Sequence, residues 1–265
     1  MNQIGRMPVF FIGHGSPMNA LANNRYTQTL ANLPARFPTP RAILCISAHW
    51  MTDDTRVTSM LQPPTIHDFY GFPQALFDIR YPAAGSPDLA RRTVELIKSV
   101  SVIADDQSWG LDHGCWSILT HLFPAAEIPV VQLSLDLTRP AEYHYQLGRQ
   151  LQPLRDEGVL IIGSGNIVHN LRVINREPEA KSFDWAIAFD EWVRDKLLQR
   201  DFAALIADYL KTDAGKLSVP TPEHYLPLMY ILGAATDKDT LHFEYEGMQH
   251  ASISMRSFGF DTASS

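Results

Sequence analysis

VFFIGHGSP, residues 9–17, joins a short apolar run to a histidine that stands between two glycines. The run at 9–12 is apolar at every position, which favours a strand buried on both faces of a sheet. Gly13 and Gly15 allow the backbone to turn sharply and to approach a ligand closely. The stretch therefore predicts a buried strand that delivers His14 to the edge of a sheet.

Three further apolar runs have the same character: AILCIS, PVVQLSL and GVLIIGS, at residues 42–47, 129–135 and 158–164. Patterns typical of helices occur between and after these runs, at residues 87–99, 140–152, 184–198 and 222–233. This alternation predicts an α/β fold with a central, mostly parallel sheet flanked by helices. The late segments LHFEYEG and SISMRSFGF alternate apolar and polar residues and predict additional antiparallel strands.

Length and composition indicate one compact domain over residues 1–265, because 45% hydrophobic residues can fill a large core. A net charge of −7, with no long block of Lys or Arg, argues against a nucleic-acid or membrane partner. No apolar run approaches the roughly 20 residues that span a bilayer, and the stretch at 7–12 is too short for a signal peptide. With only Cys45 and Cys115, a disulfide framework is excluded, and we expect a cytoplasmic protein.

Three histidines follow apolar strands in the sequence. His14 follows the run at 9–12, His49 follows AILCISA, and His169 comes five residues after the run at 158–164. Carboxyl ends of parallel strands share one sheet edge, where ligands bind, and imidazole is the commonest metal ligand. The pattern predicts a metal site at the carboxyl ends of the strands. Four other histidines are interpreted as core or surface residues: His121, His144, His242 and His250.

Two more histidines have alternative interpretations. His113, in SWGLDHGCW, either caps the helix that follows it or acts as a general acid/base or substrate contact. His224, in TPEHYLP, either lies at the surface near a helix start or approaches the site from a fourth direction. The neighbouring Glu223 is an alternative carboxylate ligand.

The segment at 62–87 is rich in Pro and aromatic residues, and it is too aromatic for a disordered linker. A long ordered loop is often functional, so we expect it to contribute substrate-binding residues. His67 either lines a pocket together with Phe69, Tyr70 and Phe72, or bonds to its own loop.

Six motifs occur together in one order along nearly the whole chain, from about residue 7 to the SISM segment: GHGSP (13–17), SAHW (47–50), PPTIHDFYGFP (63–73), DHGCW (112–116), GSGNIVHNL (163–171) and TPEHYLPL (221–228). In these motifs the sequence resembles the class III extradiol ring-cleavage dioxygenases, and more narrowly the 4,5-DOPA extradiol dioxygenase group. The resemblance implies a single α/β domain with a non-haem Fe(II) centre, which could be isolated with Zn(II) in the same position.

The resemblance also implies roles for individual residues. His14, His49 and His224 become metal ligands, His169 a fourth ligand or the acid/base beside the metal, and His113 the histidine that acts on substrate or oxygen. Better-known members of the class use two histidines and one carboxylate. An all-imidazole set suits zinc as well as iron, so the native metal is left open.

The implied reaction inserts both atoms of O₂ into a catechol such as L-DOPA, with cleavage of the 4,5 bond. An alternative is a zinc-dependent hydrolase of a small amide or ester, with His113 or His169 as the base. A third hypothesis is a binding protein that holds metal and aromatic ligands without turnover. A monomer and a homodimer are equally compatible with the sequence.

Overall fold

The computed structural model describes residues 6–262. Within this range the strands are β1 Val9–Gly13, β2 Ala42–Thr52, β3 Thr55–Thr58, β4 Val102–Asp105, β5 Val130–Asp136, β6 Val159–Gly165, β7 Asp239–Tyr245, β8 Met248–Gln249, β9 Ile253–Ser254 and β10 Ser257–Thr262. The α-helices are α1 Arg25–Asn32, α2 Gln74–Phe77, α3 Pro87–Leu96, α4 His113–Leu122, α5 Ala141–Gln150, α6 Pro153–Asp156, α7 Asp184–Leu198, α8 Phe202–Ala207, α9 Asp213–Ser218 and α10 Leu226–Ala234.

Eight of the strands form one sheet in the order β4-β3-β5-β2-β6-β1-β10-β7. Its centre, β5-β2-β6-β1, is parallel, whereas β10 and β7 add antiparallel strands at one edge. The α/β fold with a mostly parallel sheet flanked by helices is confirmed, as are the late antiparallel strands. The carboxyl ends of β1 and β6 lie side by side, because Gly13 pairs with Gly165, and Ser47 of β2, two residues before His49, pairs with Ser164 near the end of β6.

The apolar runs are continuous because the central strands are buried on both faces. Along β1, Val9 and Phe11 belong to one hydrophobic cluster, and Phe10 and Ile12 belong to the cluster on the opposite face. Successive side chains of a strand point to opposite faces, so a sheet covered on both sides needs an apolar residue at every position. Helices α5 and α10 pack together on the first of these faces.

Helix α7 matches its predicted range, but α10 begins at Leu226 and not at residue 222. Pro227 has no N–H to donate to the carbonyl of Glu223, which removes one bond of the first helical turn. The carbonyl of His224 instead accepts a bond from the backbone N–H of Asn166 at 2.9 Å. His224 therefore lies in a turn that is tied to the end of β6.

Strand β2 is longer than the predicted run at 42–47 and continues through His49 to Thr52. Its pairing with β5 shifts register between Ile46 and Met51, and irregular pairing of this kind redirects side chains. The sequence pattern does not predict β3 and β4, because each has only four residues of mixed polarity. Among the described residues, no helix is both long and apolar enough to cross a membrane.

The burial of His144 on α5 predicts how the stability of the protein changes at acid pH. Its ring is fully buried, with Nδ1 3.1 Å from the Tyr230 hydroxyl, and burial lowers its pKa to about 4 although Asp136 opposes the shift. The unfolded chain binds this proton near pH 6.5. The contribution of His144 to the free energy of unfolding is thus complete above pH 6.5. It declines as the pH falls toward 4, by up to about 1.4 kcal/mol per pH unit.

The measurement is urea unfolding of the wild type and His144→Gln between pH 7 and 4.5. The free energy of unfolding of the variant should fall less steeply with decreasing pH. His242→Gln is the matched control, because solvent reaches the His242 side chain, which is 41% exposed. Parallel curves for the wild type and His144→Gln would contradict the assignment.

Candidate metal centre

Three imidazoles converge at the carboxyl edge of the sheet. His14 directly follows β1, His49 lies near the end of β2, and His224 lies in the turn before α10. One ring nitrogen of each lies within 4.8 Å of the corresponding nitrogen of the other two. The strand-end pattern therefore does bring His14 and His49 together, and the third member of the group is His224.

The hydrogen bonds of His14 determine its tautomer. Its Nδ1 lies 3.0 Å from the hydroxyl of Ser164, which itself donates to the carbonyl of Gly114 at 2.5 Å. The hydroxyl has only one proton, so it accepts from Nδ1–H of His14. The lone pair of His14 is then on Nε2, which is the atom that faces His49.

Carboxylates lie beside Nδ1 of the other two rings. Nδ1 of His49 lies 3.2 Å from Asp68, and Nδ1 of His224 lies 3.1 Å from Glu223. Glu223 accepts the Nδ1 proton of His224, which leaves Nε2 free to ligate, whereas Asp68 lies close to Nδ1 of His49 and is hydrogen-bonded to His113. A carboxylate beside a ligating histidine is typical of metal sites. Glu223 is therefore an orienting partner of His224 in this geometry.

The donor set fits a divalent metal ion. Nε2 of His14 and Nε2 of His49 lie 3.1 Å apart, close to the roughly 3 Å expected between two nitrogens that each lie about 2.1 Å from one ion. Two imidazole lone pairs at this distance repel each other unless a cation or proton lies between them. Neutral nitrogen donors of this kind suit Zn(II) and Fe(II).

Burial keeps these rings neutral. It lowers the pKa of His14, His49 and His224 well below the ordinary value, and the neighbouring histidines lower it further. Burial likewise lowers the pKa of His169 to about 4. Neutral imidazole is the form that binds metal, so the ligands do not have to lose protons at pH 7.

His169 lies beside the group of three. Its ring stacks on that of His224, with centroids 3.4 Å apart and planes inclined by 11°. Its backbone N–H donates to Ser218 at 2.9 Å, which fixes the segment after β6. A ligand nitrogen of His169 also groups with His224 and Glu223 within 4.8 Å. The ring therefore lies in contact with one ligand of the candidate centre. It also lines the cavity that opens beside the three histidines.

His113 is the first residue of α4 and lies on the other side of the group, with its ring centroid 3.8 Å from that of His49. The helix start is held by Asp112, a buried N-cap whose carboxylate accepts from the Ser47 hydroxyl at 2.6 Å and from Gln132 at 2.7 Å. The prediction that His113 caps the helix is wrong, because Asp112 is the N-cap and His113 is the first residue of the helix. His113 lines the site cavity, and its acid/base or substrate role stays a prediction.

Asp68 is a site residue that the sequence pattern did not reveal. Its carboxylate accepts from Nδ1 of His113 at 2.8 Å and from the His113 backbone N–H at 2.9 Å, and it also contacts His49. Burial opposes ionisation of this carboxyl, but the hydrogen bond from His113 and the two imidazoles outweigh it and lower the pKa to about 2. The sequence feature that could have indicated Asp68 is an acidic residue within the aromatic segment at 62–87.

A cavity of about 550 Å³ opens above the histidines. Apolar side chains form much of its wall: Phe69, Tyr70, Phe72, Leu171, Ile174 and Ile253. His67 lies outside this lining, because its Nε2 faces the carbonyl of Ile79 at 3.1 Å within its own loop. His250, interpreted from the sequence as a core or surface residue, lies at the cavity with Asn175 and Arg176.

Comparisons with known proteins agree with this geometry. Residues 11–256 match the family model described as the catalytic LigB subunit of aromatic ring-opening dioxygenase. The chain is 48% identical over 254 residues to 4,5-DOPA dioxygenase extradiol of Escherichia coli (strain K12), covering 95% of this chain and 94% of that one. It is 39% identical over 251 residues to the protein of the same name from Beta vulgaris, covering 90% and 91%.

A crystal structure of an uncharacterized protein from Escherichia coli K12 has a TM-score of 0.84 and 42% sequence identity, and the match covers 97% of this chain and all of that one. The similarity in fold therefore extends over nearly the whole chain. From the family match, the relatives and the donor set together, we conclude that the chain belongs to the LigB family of aromatic ring-opening dioxygenases and is a metal-dependent extradiol dioxygenase.

Proposed function

We propose that this protein cleaves the ring of a catechol amino acid such as L-DOPA at the 4,5 position, using O₂ and one divalent metal held by His14, His49 and His224. The main support is the arrangement of three neutral imidazoles whose ligand nitrogens lie within 4.8 Å of one another. Nδ1 of His14 and of His224 is hydrogen-bonded, and Nδ1 of His49 lies 3.2 Å from Asp68. The names of the relatives from Escherichia coli and Beta vulgaris support the substrate.

We infer Fe(II) for activity and Zn(II) for an inactive, isolated form, since Zn²⁺ has no redox chemistry. When bound, the divalent ion lowers the pKa of catechol hydroxyls and, as Fe(II), allows electrons to pass between catechol and O₂. The all-imidazole set contributes no charge, so the ion keeps its full double charge. A single catalytic domain over residues 1–265, a monomer or homodimer, and a cytoplasmic location stay predictions.

His113 is the proposed general base. The Asp68 carboxylate accepts its Nδ1 proton at 2.8 Å, so the lone pair on Nε2 is available to take a catechol proton. Asp68 then stabilises the imidazolium that forms, because its own pKa of about 2 keeps it ionised. His169, neutral at pH 7 and lining the same cavity, is proposed to share acid/base work at the second hydroxyl.

The apolar wall positions the ring. Phe69 and Phe72 pack edge to face, with ring centroids 5.3 Å apart, and the ring centroid of Phe69 lies 5.5 Å from that of His113. A flat aromatic substrate fits between such rings and the histidines, and it displaces water from the site. Tyr70 is 92% exposed at the opening, so we propose that it and Phe69 contact the substrate.

The decisive experiment measures oxygen uptake and the yellow ring-opened product with L-DOPA. Protein reconstituted with Fe(II) should consume about one O₂ per L-DOPA, whereas the Zn(II)-loaded protein and an anaerobic sample should give no product. A hydrolase would turn over amides or esters without O₂, and a binding protein would hold L-DOPA unchanged. Either result, together with no oxygen uptake by the Fe(II) protein, would refute the proposed reaction.

A further inference from the structure

The mouth of the cavity is formed by residues 175–178 and by the segment at His250, which hydrogen-bond to each other. The backbone N–H of Asn175 donates to the carbonyl of His250 at 3.0 Å, and the N–H of His250 donates to the carbonyl of Pro178 at 2.8 Å. Arg176 lies between these two anchor points. Its backbone is thus in place before a ligand arrives, which reduces the entropy lost on binding.

His250 and Ala251 have φ values of 55° and 66°, in the left-handed region that non-glycine residues seldom adopt. Two such residues in succession are costly unless the surrounding contacts hold them. Here the contacts are the hydrogen bonds to Asn175 and Pro178, and the conformation places His250 among the residues that line the cavity.

Arg176 is the cationic side chain, apart from the histidines, in the lining of this cavity. Among residues 6–262, no carboxylate lies within 4.0 Å of its guanidinium, whereas buried arginines such as Arg155 and Arg256 are paired with Asp239 and Asp190. The acidic group in the lining, Asp68, is already bound to His49 and His113. Arg176 therefore presents a free fork of N–H donors, which is the geometry that binds a carboxylate in a bidentate manner.

His250 supplies the complementary group. Its Nδ1 lies 2.9 Å from the backbone carbonyl of Asn175, which can only accept, so Nδ1 carries the proton in the neutral ring. Nε2 is then an acceptor. A guanidinium and an imidazole acceptor at one opening match the carboxylate and the ammonium of an α-amino acid.

We propose that Arg176 binds the carboxylate of the substrate and His250 its ammonium, so that the enzyme selects catechols that carry an amino-acid side chain. This inference rests on the proposed catechol cleavage and adds the residues that determine specificity. The histidines at the base of the cavity receive the catechol hydroxyls, the apolar wall receives the ring, and the mouth receives the charged end.

The test compares four catechols: L-DOPA, dopamine without the carboxylate, 3,4-dihydroxyphenylpropionate without the ammonium, and 4-methylcatechol without either group. For wild type, kcat/KM for L-DOPA should exceed that for dopamine by about tenfold or more, the usual effect of a charge-assisted hydrogen-bond pair. In Arg176→Gln this ratio should fall close to one, mainly through KM for L-DOPA. In His250→Leu the ratio of L-DOPA to 3,4-dihydroxyphenylpropionate should fall several-fold.

Arg172→Gln is the matched control, because Arg172 is an exposed arginine of the same segment that lies outside the cavity lining. Its substrate ratios should equal those of the wild type. Binding of the four compounds to Zn(II)-loaded protein by calorimetry should show the same ratios without turnover.

If the wild type cleaves catechols but Arg176→Gln leaves the ratios unchanged, the specificity inference is overturned and the proposed reaction stands. If no catechol is cleaved, the proposed reaction fails, and the calorimetric ratios decide the role of Arg176.

Discussion

His14→Ala and His49→Ala are each expected to lose stoichiometric metal while the protein stays folded. Structural Zn²⁺ sites with four ligands have apparent binding energies of about 10–16 kcal/mol, so each ligand accounts for roughly 3–4 kcal/mol. Loss of one ligand should thus weaken metal affinity by about 10²–10³-fold. The measurement is metal content after dialysis against a weak chelator, with circular dichroism to verify the fold.

A graded variant tests the orientation of His14 without removing it. In Ser164→Ala the Nδ1 proton of His14 loses its acceptor, and affinity should fall by about 10–100-fold, as is usual for partners that orient a ligand. His242→Ala is the control, because this histidine lies on the edge strand β7 beside Asp261. One equivalent of metal in both ligand variants would remove His14 and His49 from the coordination sphere.

His113→Ala is expected to bind metal normally and to lower kcat for L-DOPA cleavage by about 10²–10⁴-fold, the usual contribution of a general base. His113 lies in a separate group with His49 and Asp68, and its Nδ1 is bound to the Asp68 carboxylate. We place the metal at His14, His49 and His224, so removal of His113 should leave metal content unchanged. His121→Ala on the same helix is the control, since its Nε2 bonds to the carbonyl of Asn19. An unchanged kcat in His113→Ala would show that His113 has no catalytic role and serves only as the first residue of α4.

Asp68→Asn separates orientation from charge. The amide can donate to Nδ1 of His113, which moves the ring proton to Nε2 and leaves no acceptor for the catechol. We expect kcat to fall nearly as far as in His113→Ala even at saturating metal. Metal affinity should also weaken modestly, because Asp68 contacts His49 as well. A variant with full kcat at saturating metal would limit Asp68 to a structural role.

Much of the scaffold follows from local pattern. Continuous apolar runs predicted β1, β2, β5 and β6 because both faces of these strands are buried, and helix α7 was predicted over its full range. The start of α10 was wrong by four residues. Whether the turn at 222–225 continues as helix depends on Pro227 and on a hydrogen bond to Asn166, and the second of these is a contact between distant parts of the chain.

The sequence by itself predicted the central strands β1, β2, β5 and β6, a site at their carboxyl edge, and the approach of His14, His49 and His169 to it, because strand periodicity and strand ends are local properties. The tertiary structure alone decided which nitrogen of each ring is free. For His14 and His113 that choice depends on acceptors far away in the chain: Ser164 is 150 residues from His14, and Asp68 is 45 residues from His113. Hydrogen bonds between such distant residues have no sequence period, so only folding reveals them.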